Sequence, residues 1–91
     1  MAVQAGLPGE ELVTKGLADL CAGVVSIEAL VVSIGASRLA ALGLDVQRPQ
    51  PSPEHRLYEL LHEDDPDGAH SRYNALVRRL VSFERALECV S

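Results

Sequence analysis

The stretch AHSRYNALVRRLVSFERALECV, Ala69 to Val90, decides the fold. In it Ala69, Tyr73, Leu76, Leu80, Phe83, Leu87 and Val90 are separated by four, three, four, three, four and three residues. An α-helix turns once in about 3.6 residues, so this spacing gathers them on one face as a heptad seam. The polar positions hold Arg72, Asn74, Arg78, Arg79, Ser82, Glu84, Arg85 and Glu88. The spacing predicts a helix over 67–90. A helix of about 21 residues is roughly 31 Å long at ~1.5 Å per residue.

Working back from that helix, Asp64 to Gly68 reads as a turn of the Asp-Pro-Asp-Gly kind. Before it, Ser52-Pro53-Glu54 opens a helix over 53–64. Ser is a capping residue, Pro suits the first helical position, and an acid suits the positive end of the helix dipole. Leu57, Leu60 and Leu61 form its expected buried stripe, with Tyr58 at the edge. This helix is shorter than the last. Part of the long seam therefore needs the first helix, the second helix or another subunit to cover it. Gln47 to Pro53 holds three prolines and reads as an extended surface connector.

Further upstream, Ser26 caps a helix over 27–42 that breaks near Gly35 and ends at Gly43-Leu44. Val24 to Ile34 is rich in β-branched residues, so a strand is the competing reading. Helix is favoured because the apolar residues do not alternate. Val31 and Val32 lie side by side, so this element is apolar on more than one face and belongs at the centre. The first helix spans 9–22, with Leu12, Val13, Leu17, Leu20 and Cys21 on one face and Gly23 closing it. Gly16 inside it costs about 1 kcal/mol against Ala, or marks a close helix approach. Residues 1–8 read as a flexible N-terminus.

The expected fold is thus all-α, a single domain of three to four mostly antiparallel helices with a long C-terminal helix. Composition agrees. The 91 residues are 47% hydrophobic, with no Trp, one Phe and two Tyr, which suits an aliphatic helix-on-helix core. A chain this short buries only about 60–65% of its unfolded surface and has no length to spare for a deep cleft.

Charge is unevenly placed. The net charge is −5, which disfavours a nucleic-acid role driven by bulk attraction. Glu54 to Asp67 carries six acids and one Arg, whereas Arg72 to Glu88 carries four Arg and two Glu. Neighbouring segments of opposite sign read first as partners within the fold. No signal peptide and no long uncharged apolar run is visible, so the expectation is a cytoplasmic protein without a membrane span. Cys21 and Cys89 then read as reduced, small buried hydrophobes.

Three groups of residues are candidates for function. The seam residues Tyr73, Leu76, Leu80, Phe83 and Leu87 would form a partner interface, for a homodimer or for the product of a neighbouring gene. Arg72 and Arg79, and Arg78 and Arg85, are each seven apart and make two short basic rows that suit phosphate contact. His55, Glu59 and His62 share one helical face, and Glu59-x-x-His62 has the Glu-x-x-His spacing of carboxylate-bridged metal bundles. Those bundles repeat the motif, and here it occurs once, on the face opposite Leu57, Leu60 and Leu61. In layout the chain resembles the helical toxin nucleases called HEPN, which pair an Arg with a following His. Here no His follows His70, so that site is not formed by Arg72, Arg78, Arg79 or Arg85. No Gly-x-Ser-x-Gly and no phosphate-loop ending is present, and no cofactor is implied. The leading expectation is a non-enzymatic interaction or regulatory protein. A nucleic-acid-associated toxin or antitoxin-like module is the alternative, and a metal-binding helical protein the second alternative.

Overall fold

The computed structural model describes residues 7–90. They form five helices, α1 (Glu10–Cys21), α2 (Ile27–Ile34), α3 (Ala36–Ala41), α4 (Pro53–Asp64) and α5 (Ala69–Val90), and no strand. The all-helical class and the long last helix are as the spacing predicts. The element expected over 27–42 is two helices, because the chain breaks at Gly35.

Helix α2 occupies the middle. Ala29, Leu30, Val31, Val32 and Ser33 are all buried, and α2 packs against α1, α4 and α5. The β-branched run is therefore compatible with helix, since burial on nearly every side outweighs a propensity difference of a few tenths of a kcal/mol per residue. Ser26 caps α2 as expected, its side chain accepting from the Ala29 amide at 3.1 Å. The same hydroxyl donates to Asp19 at 2.6 Å, and Asp19 also accepts from Lys15 at 2.7 Å. The Lys15 and Ser26 hydrogen bonds hold the Asp19 carboxyl below the usual carboxylate range.

Two helix ends follow one geometry. After α1, the Val24 amide reaches the Asp19 carbonyl and Gly23 reaches Leu20; after α3, Leu44 reaches Leu39 and Gly43 reaches Ala40. Gly23 and Gly43 have φ of 76° and 99°, a left-handed backbone that a side chain would strain. The start of α4 departs from expectation. Ser52 sits at φ 47° and makes no capping hydrogen bond, so Pro53 at the first helical position opens α4 without it. A further correction concerns Leu60: Leu57 and Leu61 are fully buried, whereas Leu60 is 37% exposed. The start of α5 falls at Ala69, two residues inside the expected boundary.

Close backbone approaches tie the bundle together. A Cβ at Gly16 would lie 2.4 Å from both the Glu28 carbonyl oxygen and a Val32 methyl, so α1 and α2 touch at that point. At Gly9 it would lie 2.6 Å from the Arg79 carbonyl oxygen, which seats the start of α1 on α5. The proline connector is held to the core by Ser33, whose hydroxyl donates to the Ala29 carbonyl at 2.8 Å and accepts from the Gln50 amide at 3.0 Å. Leu7, expected in the flexible tail, packs against the core; residues 1–6 of that tail lie outside the described residues. No described helix is long and apolar enough to cross a membrane.

Candidate functional site

The seam of α5 is filled mainly from within the chain. Ala69, Leu80 and Phe83 are fully or almost fully buried, and Tyr73, Leu76 and Leu87 pack on the same core while keeping part of their surface. Val90, at the end, is half exposed. The long seam is covered by α1 and α2 as well as by α4, because all three pack against α5. Leu80 and Phe83 are thus core residues, and the part of the predicted interface open to a partner shrinks to the margins at Tyr73, Leu76 and Leu87.

The acidic and basic segments meet at one point. Arg72 donates to Asp64 at 2.9 Å across the α4–α5 turn. Arg78, Arg79 and Arg85 are exposed and make no ion pair with another described residue. The expected pairing fails for them on geometric grounds. At about 100° per residue, Arg78 and Arg85 project from the side of α5 opposite Leu80. Arg79 lies on the flank facing α1, where with Leu7, Gly9, Glu10 and Glu11 it lines an open depression of about 210 Å³. Two carboxylates beside the arginine leave that depression without a clear preference for an anion.

On α4, His55 Nε2 lies 3.5 Å from Glu59 Oε2, and both side chains are mostly exposed. His62 stacks on Tyr58, with ring centroids 6.3 Å apart, and Tyr58 meets the Tyr73 ring edge-on at 5.9 Å. Tyr58, Glu59, His62 and Glu63 border an open groove of about 380 Å³. Among the described residues no group of three or more His, Cys, Asp or Glu is gathered closely enough to hold a metal ion. The shared helical face thus brings His55 and Glu59 together but does not build a three-ligand site with His62. Cys21 and Cys89 are free and exposed, so neither is the buried hydrophobe expected.

The residue that sequence reasoning misplaced is Glu84. Assigned to the polar side of the last helix, it is buried in the structure, 9% exposed. The signal was present in the spacing. Glu84 follows Leu80 by four and precedes Leu87 by three, which sets it at the edge of the seam. Burial raises its carboxyl above the ordinary range, and the nearby Arg38 guanidinium partly opposes the shift.

Comparison with protein-family models, with curated proteins and with solved structures finds no match to this chain.

Proposed function

We propose that this chain is a non-enzymatic helical interaction or regulatory protein, working in the cytoplasm through protein contacts on the outward side of α5. The observation that carries this reading is the set of exposed arginines, Arg78, Arg79 and Arg85, without an ion-pair partner among the described residues of an acidic chain. Exposed guanidiniums are well suited to bind carboxylates in pairs of parallel hydrogen bonds. A partner that brings an acidic surface fits that side; Tyr73, Leu76 and Leu87, on the Leu80 side of the helix, lie away from it. A second copy of this chain and a protein encoded beside it are both candidates.

The same arginines favour one other reading, contact with the phosphates of a nucleic acid. A photo-crosslinking amino acid at position 78 or 85, used in cells, separates the two. Adducts of defined mass with protein support the first reading, and adducts with RNA or DNA replace it with the second. The absence of any adduct at either position overturns both.

A further inference from the structure

Glu84 is the only buried ionisable side chain among the described residues. It makes no hydrogen bond or ion pair with another described residue, yet neither oxygen is sealed off entirely, so the carboxyl sits at the rim of the core. What it faces is the junction of α2 and α3. A Cβ at Gly35 would lie 2.7 Å from Glu84 Oε2 and 3.1 Å from the two Leu80 methyls. Gly35 has φ −92°, open to any residue, so its lack of a side chain serves this close approach and not a special turn. One turn of α3 further on, Arg38 reaches Glu88 at 3.5 Å, and Glu88 is four residues after Glu84 on α5.

We propose that Glu84, Arg38 and Glu88 form an acid-responsive latch that fixes the first turn of α3 against α5. Two carboxylates four residues apart on one helix repel each other and share one guanidinium. When Glu84 carries its proton, the neutral carboxyl rests against Gly35 and Arg38 is left to Glu88. When the proton goes to bulk water, the carboxylate has no protein donor among the described residues, and a charge at the rim of the core is costly. It then either draws Arg38 inward, giving up the Glu88 contact, or turns to solvent and vacates the space at Gly35. Both responses loosen the α2–α3 junction.

Among the described residues, the other charged groups on the elements packed here make no ion pair with Glu84. On α2 the titratable residue is Glu28, at the opposite end of the helix and 3.8 Å from Lys15 of α1. Where α1 meets α5, Gly9 sits on Arg79, and the charges there are Glu10, Glu11 and Arg79. The charge that acts on Glu84 is Arg38. The direction in pH follows. A carboxyl raised above its unfolded value of about 4.3 contributes no penalty below that pH. The penalty grows as pH rises through the raised value and is complete above it.

Amide hydrogen exchange of the whole chain tests the latch, read at the Leu39, Leu42 and Leu44 amides, which bond to Gly35, Arg38 and Leu39. After correction for the intrinsic rate, protection at these amides is expected to fall several-fold as pH rises from about 4 to about 8. The isosteric Glu84→Gln should keep it high and flat across that range. Arg38→Gln, which removes the facing cation, should steepen the fall. The latch is overturned if the native chain shows no fall or if Glu84→Gln keeps the native profile. Loss of protection in α1 in step with α3 also overturns it, since that is global loosening.

Discussion

A hydrogen atom at position 16 decides how closely two helices approach. Intrinsic propensity alone favours Ala over Gly in a helix interior by about 1 kcal/mol, so Gly16→Ala would be stabilising on an isolated α1. In the bundle the added methyl would meet the Glu28 carbonyl and the Val32 side chain at 2.4 Å each. One of these is backbone and cannot swing aside. Overpacking of this kind costs about 1–3 kcal/mol, which outweighs the propensity gain. Thermal or urea unfolding of Gly16→Ala is expected to show net destabilisation, and a gain in stability would mean that α1 and α2 part more easily than their contact suggests. Gly35 repeats the logic with a carboxylate and a leucine in place of backbone. Both glycines were visible as residues out of place in helical patterns. The neighbour each one accommodates was not, since it comes from an element 12 or more positions away, and spacing along one helix carries no information about the facing one.

Among the elements, α5 was the most legible, and what the spacing missed there concerns who covers it. A seam of apolar residues at positions three and four apart specifies a buried face whether the cover comes from the same chain or another. The structure assigns Leu80 and Phe83 to the chain's own core. Phe83→Ala should therefore act on folding, at about 3–5 kcal/mol, against a total stability of about 5–15 kcal/mol for a domain. Arg78→Ala and Arg85→Ala should stay within about ±0.5 kcal/mol, as exposed substitutions do. Denaturant titrations of the three variants check the ordering, and a Phe83→Ala protein that unfolds at the native midpoint would return the seam to an intermolecular role. Helix ends were legible where a glycine or a capping hydroxyl acts locally, at Ser26, Gly23 and Gly43. Ser52 misled because its hydroxyl is turned out of reach by a left-handed backbone ahead of Pro53. Polar labels misled at Glu84, where the position on the wheel outweighed the chemistry of the side chain.

For the molecule as a whole, extents of 38 × 24 × 19 Å leave one layer of core between helices, and the two depressions described above are open to solvent. The candidate site was legible in its residue types but not in its pairing. Arg72 found Asp64, while Arg78, Arg79 and Arg85 remain exposed, a distinction that depends on the angle around α5 at which each emerges. One feature of that helix also bears on how the protein comes apart. Helices α1, α2 and α4 each rest on α5, so no one of them separates without uncovering a face that the others share. Such a common wall makes unfolding a collective event with no partly folded form of comparable free energy. Tyr58 and Tyr73, in edge contact across α4 and α5, provide a local reporter beside the global helical signal. Tyrosine fluorescence and far-ultraviolet circular dichroism should lose the native state along one superimposable curve. A tyrosine midpoint below the circular-dichroism midpoint would mean that α4 leaves first, and the chain would then behave as a stable core with a detachable flap.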